Sequence, residues 1–213
     1  MDHEKNITIS DEARASNPGG LKPNKLKWFA SYPKWPLIWL VSLLIFAALA
    51  LTVHSVFWIP AVLLLGMNWL YWVRINGHFS QGDANPGIVV ATNPTLIAVA
   101  TDLTKGFGEY PVLKIFEKNL STVCGQQVKE GAQLATVALY SMDPNESVPH
   151  WKDFDPRPVD CATNDLEANR AVLASFDDEA WEVLQAYLAK VPKPYAPGPV
   201  SYTHLTLPTN REV

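Results

Sequence analysis

Side chains able to do chemistry are few and scattered in this 213-residue chain. The densest set is His150, Asp153, Asp155, Asp160 and Cys161, and imidazole, carboxylate and thiolate are the usual metal donors. Their spacing matches no known zinc pattern, so the expected state is a solvated loop and no metal is assigned. Asp102 closes an apolar run just before a turn, a place where a carboxylate can act as general acid or base. With no partner evident in the sequence, an Asx turn, in which the carboxylate caps nearby N–H groups, is the expected role. Gly106-Phe107-Gly108 is a short glycine pair between predicted strands, which a hairpin turn explains better than nucleotide binding. There is no phosphate loop, no G-x-S-x-G, no H-E-x-x-H and no paired C-x-x-C. Asp102, His150 and Asp153 are therefore the residues a hydrolase would use here. No cofactor is expected, and the leading reading is non-enzymatic.

What must position these residues follows from how charge is distributed. The chain carries 17 Lys+Arg against 21 Asp+Glu, a net charge of −4, and its mean hydropathy of zero conceals a strong segregation. From Trp35 to Val73, 39 residues pass without one Asp, Glu, Lys or Arg. A helix crosses the hydrocarbon core in about 20 residues, so this stretch predicts two spans, Trp35 to Val53 and Val56 to Val73, turning at His54-Ser55. A buried helix of a soluble protein normally keeps a polar stripe, and these have none. Aromatic residues gather toward the ends, with Trp28, Trp35 and Trp39 before the turn, Phe57 and Trp58 at it, and Trp69, Tyr71 and Trp72 at the exit, as in interfacial belts. Pro60 falls in the first turn of the second helix, where its missing N–H is tolerated. Asn68 is the one strongly polar side chain deep in a span, and it is expected to bond backbone or the other helix near the interface. Lys22, Lys25, Lys27 and Lys34 precede the hairpin and Arg74 and His78 follow it, so the positive-inside rule predicts both termini on the cytoplasmic side. No secretory signal is read at the N-terminus.

The flanking segments differ from the hairpin and from each other. Residues 1–34 form a polar, basic stretch without apolar periodicity, expected to be a flexible arm. From residue 82 to 198 short Val, Ile, Leu and Thr runs recur between Gly, Pro and Asn punctuation. They predict antiparallel strands of a small barrel or curled sheet. Val112, Lys114, Phe116 and Lys118 alternate with Leu113, Ile115 and Glu117. His150 to Pro158 is expected to be a polar, proline-broken loop, and the following P-V-D-C-A-T an edge strand. Asn164 to Glu167 and Ser175 to Asp178 resemble capping boxes and predict two closing helices within about 164–191. The fold class is thus α+β: a transmembrane helical hairpin at 35–74, then a small antiparallel β domain with C-terminal helices. Cys124 and Cys161 fit either two buried thiols or one bridge. Asp83 to Pro199 holds 16 acids and 9 bases, the wrong sign for a phosphate backbone, so no nucleic acid is expected. The expected partners are the lipid bilayer through residues 35–73 and a protein bound by the domain.

Six strings appear in order: G-D-A-N-P-G-I-V-V, N-P-T-L-I-A-V-A-T-D-L, G-F-G-E-Y-P-V-L-K-I, A-T-V-A-L-Y, H-W-x-D-F-x-P and V-P-K-P-Y. Together, over about Gln81 to Gly198, they resemble a bacterial family of uncharacterised proteins, domain of unknown function family 3239. That resemblance implies a small domain behind a membrane anchor in some members; with the hairpin and its positive flanks, the expected location is the bacterial inner membrane. It supplies no catalytic residues. Val200 to Val213, which opens V-S-Y-T-H-L, resembles the translation of a transposase-based sequencing adaptor. On that reading the native chain continues differently after about residue 199.

Overall fold

The computed structural model describes residues 17–105, 109–142 and 148–201. Gly106-Phe107-Gly108, the first 16 residues of the expected arm and residues 202–213 of the expected tail lie outside the described residues.

Two long apolar helices, α2 (Lys34–Thr52) and α3 (Trp58–Gln81), run through the charge-free stretch. A single 3₁₀ turn, Ser55–Phe57, joins them, and His54 opens it by accepting the Val56 N–H at 3.1 Å. Small residues sit where the helices meet: Ala50 and Ala61 are buried, which allows close approach without large side chains between. The outer faces are a different matter, since Leu44, Val62 and Leu63 are each at least 60% exposed. So much bare hydrocarbon on two neighbouring helices is unfavourable in water by roughly 25 cal/mol per Å², and it associates the protein with a membrane. Asn68 lies half-buried on α3.

The second helix does not stop at Val73, where the apolar pattern ends. It continues to Gln81 because the buried face continues: Tyr71, Trp72, Ile75 and Phe79 recur at helical spacing and all pack in one core cluster. The anchor and the domain therefore share one unbroken helix. At its end, a Cβ on Gly82 would come within 2.8 Å of the Ala138 carbonyl oxygen, so only glycine permits helix and sheet to approach this closely.

The sheet is antiparallel with strand order β5-β4-β1-β2-β3-β6. Its strands are β1 (Asp83–Thr92), β2 (Thr95–Asp102), β3 (Pro111–Glu117), β4 (Gln133–Ser141), β5 (Asp153–Pro158) and a short β6 (Gly198–Ser201). A bulge between Val89 and Ala91 interrupts the β1–β2 register, which bends a strand and increases its twist. The result is a half-barrel. Although β3 and β5 have three strands between them, Lys114 of β3 reaches Asp153 of β5 at 2.9 Å and the Phe154 carbonyl at 2.6 Å. The concave face packs Val89, Ile97, Val99, Val112, Leu134 and Phe154. The convex face is covered twice, by α5 (Asp178–Leu188) over Leu96, Ala98, Leu113 and Ile115, and by α1 (Lys25–Ser31), the end of α3 and α4 (Leu166–Leu173) over Ala135 and Val137. The alternation read along β3 follows from this: Lys114 and Phe116 point into the curl while Leu113 and Ile115 meet α5.

Four expectations need correction. Residues 17–33 are not a flexible arm but carry α1, capped by Asn24, whose side chain accepts from the Leu26 and Lys27 N–H groups. Trp28 of α1 is not interfacial: it is 1% exposed, donates to the Tyr71 hydroxyl at 2.7 Å and stacks on Tyr32. The 150–158 loop contains strand β5, in which Phe154, Pro156 and Pro158 are buried alternately with Asp153, Asp155 and Arg157. Its prolines are tolerated because β5 is an edge strand, bonded to β4 on one side only. Finally, the supposed strand after it is a 3₁₀ turn, Val159–Cys161, all three residues buried. The two closing helices are present, capped by Asp165 and Asp177. Val200 and Ser201, the first residues of the expected tail, continue the strand begun by Gly198 and pair with Leu113 and Val112.

Candidate functional site

A cleft of about 630 Å³ opens where the hairpin meets the sheet. Each wall comes from a different element. Helix α1 and the residue that ends it give Trp28 and Tyr32, α2 gives Trp35 and Trp39, and α3 gives Tyr71 and Arg74, while Lys114, Lys118 and Arg157 come from the β3 and β5 side. Cations lie over the aromatic faces. Arg157 is 5.2 Å from the Trp28 ring and 5.9 Å from Tyr32, and Lys118 is 3.4 Å from Tyr32. Arg157 also pairs with Asp155 at 2.8 Å, while Lys118 donates to the Ser31 carbonyl at 2.6 Å. Burial lowers the pKa of the Lys118 ammonium and raises that of the Tyr32 phenol.

Of the three sequence candidates, Asp102 and His150 lie outside the cleft lining and are engaged in bonds near them in sequence, while Asp153 touches the cleft through its ion pair with Lys114. Asp102 accepts from the Thr104 N–H at 2.8 Å, the Thr104 hydroxyl and the Tyr110 N–H at 3.0 Å, the expected Asx turn. It lines a groove of about 790 Å³ beside α5, together with Glu109, Asp177, Glu179, Phe176, Val183 and Tyr187. Burial, and then the charges of Asp102 and Glu109, raise the Tyr187 phenol above its ordinary value. His150 bonds the Trp151 carbonyl through Nδ1 at 2.8 Å and lays its ring on Tyr110. Asp153 binds Lys114 and lines a smaller pocket of about 180 Å³ with Arg74 and His78. Asp102 and Asp153 thus open into different cavities. Among the described residues, no group of three or more His, Cys, Asp or Glu side chains is arranged to hold a metal ion.

A second polar cluster went unread in the sequence as a unit. Asp160 is 6% exposed, and its Oδ1 accepts from the Cys124 N–H at 2.7 Å and the Asn169 amide at 2.9 Å. Cys124 takes a left-handed backbone, φ 49°, at this contact, a conformation uncommon outside glycine. Oδ2 is buried without a hydrogen-bond partner, and burial raises the carboxyl pKa above its usual range, with both donors opposing. Cys124 and Cys161 are free thiols. Burial raises both their pKa values, which disfavours the reactive thiolate. The cleft residues Lys118, Arg157 and Arg74 were missed as a set. The one available signal was the period-two pattern Asp153, Asp155, Arg157, hidden by Pro156 and Pro158.

A family model described as a protein of unknown function, DUF3239, matches residues 72–192. No curated protein matches the chain. A solved structure, that of a candidate membrane protein from Corynebacterium diphtheriae, is similar at 18% identity and a TM-score of 0.44, covering 51% of this chain and 89% of that one.

Proposed function

We propose, for a chain that belongs to the DUF3239 family of proteins of unknown function, that it is a non-enzymatic binding module, anchored by a two-span hairpin in the bacterial inner membrane, that takes a protein partner at the cytoplasmic face. The observation that carries this reading is the contrast between the spent candidates and the open groove. Asp102 and His150 are engaged by bonds near them in sequence and Asp153 by Lys114 across the curl, whereas the groove beside α5 is lined by the carboxylates of Glu109, Asp177 and Glu179 together with apolar Phe176 and Val183. Such a surface suits a basic, partly apolar protein segment, since charge complementarity steers encounter and apolar contact retains the partner. The topology rests on Lys22, Lys25, Lys27 and Lys34 on one flank and Arg74 on the other.

A photo-crosslinking residue placed at Val183 in cells tests it. The expected result is one discrete adduct, lost on Glu109→Gln with Glu179→Gln and absent from a probe at exposed Lys129. No adduct at Val183, or one indifferent to both substitutions, contradicts the reading.

A further inference from the structure

We infer that the cleft between hairpin and half-barrel binds the headgroup of an anionic phospholipid. Its position selects an amphiphile. Trp35, Trp39 and Tyr71 come from the apolar helices and Lys118 and Arg157 from the domain, yet they line one cavity, so an occupant meets indole on one side and cations on the other, as a lipid does at the boundary of a bilayer. The sign of its charge selects the headgroup. Four cations, Arg74, Lys114, Lys118 and Arg157, line the cleft against two acids, Glu117 and Asp155. A cationic headgroup would otherwise suit so aromatic a site, but the Trp28 and Tyr32 rings already carry Arg157 and Lys118.

Two of the four cations are spent, Lys114 on Asp153 and Arg157 on Asp155. Arg74 and Lys118 stand in no ion pair among the described residues, and Lys118 is half-buried with a carbonyl as its hydrogen-bond acceptor. A desolvated ammonium without a carboxylate is offset by an incoming phosphate. Lys34 lies 5.9 Å from the ring of Trp35, a lining residue, adding positive charge beside the cleft. The proposal rests on the membrane hairpin and is independent of the groove beside α5.

The test uses the full chain, delipidated in neutral detergent and titrated separately with phosphatidylglycerol, phosphatidylcholine and glycerol 3-phosphate, with bound molecules counted by native mass spectrometry. Phosphatidylglycerol is expected to bind at least tenfold tighter than phosphatidylcholine. Arg74→Gln with Lys118→Gln removes that preference, and Lys129→Gln, at an exposed cation that does not line the cleft, keeps it. If circular dichroism shows the double variant unfolded, Arg74→Gln alone, at an exposed position, must lower the preference at least threefold. Equal binding of the two lipids, a preference that survives these substitutions, or glycerol 3-phosphate binding as tightly as the lipid would each overturn the inference, the last by making the cleft a site for soluble phosphate.

Discussion

The hairpin and the half-barrel are built from the same aliphatic residues and dispose of them in opposite ways. In α3 Leu63 is 64% exposed, whereas in the sheet Leu113 and Ile97 are 0% exposed. Burial follows from the solvent each segment meets, not from residue type. The half-barrel must hide its side chains in its own two layers, concave and convex, because water surrounds it. The hairpin has no such need if lipid surrounds it, and its backbone groups are satisfied within the helices. Where the two regimes meet, the chain uses aromatics and cations: Trp28, Tyr32, Tyr71, Arg74 and Arg157.

The contrast is sharpest under truncation. Phe154→Ala removes a fully buried ring from the concave core and should cost about 3–5 kcal/mol in denaturant unfolding of the domain. Leu63→Ala, on the hairpin, should leave that transition unchanged. Equal losses at the two sites would break the contrast. Charge gives the converse. Leu63→Lys should raise the cost of inserting α3 by about 2.5–3.5 kcal/mol on insertion scales, read as lost membrane integration, while Gln133→Lys at the exposed start of β4 should have no effect on integration.

A smaller effect concerns the closure of the curl. Lys114 is partly buried, at 20% exposure, and its Asp153 partner is half-exposed at 48%. Lys114→Gln should therefore lower domain stability by about 1 kcal/mol, with more of the loss retained in high salt than for the Arg157 pair with the more exposed Asp155. The smallest effect lies at Asp160. Its folded pKa is raised, so the native state keeps a proton that the unfolded chain releases. Stability accordingly falls as pH rises from the ordinary carboxylate pKa through the raised one. Asp160→Asn keeps the Oδ1 acceptor and should abolish that decline, visible as a difference in melting temperature between pH 4 and pH 7. A decline of equal slope in both proteins would contradict the assignment.

Much of this architecture was legible in the sequence. The hairpin was legible because 39 residues without charge have few physical explanations, and β1 to β4 because turn residues punctuate them. β5 was not, since Pro156 and Pro158 signal a broken loop unless the strand is known to lie at an edge. α1 was not, because its seven residues KLKWFAS owe their helix to the Asn24 cap and to Trp28 packing on α3, a tertiary cause. The Asx role of Asp102 was read locally and correctly, since its partners lie within eight residues. The cleft was beyond reach because it unites residues from α1, α2, α3, β3 and β5, and only the curl of the sheet brings them together.

The central claim is that the outer faces of α2 and α3 meet lipid while the half-barrel meets water. The most direct measurement is the collision accessibility of a nitroxide at Leu63 in liposomes, in a background lacking the two native cysteines, set against one at Gln133. Leu63 is expected to be reached by oxygen and shielded from a water-soluble nickel chelate, with the reverse at Gln133. A Leu63 label reached by the nickel chelate as freely as Gln133 would contradict it.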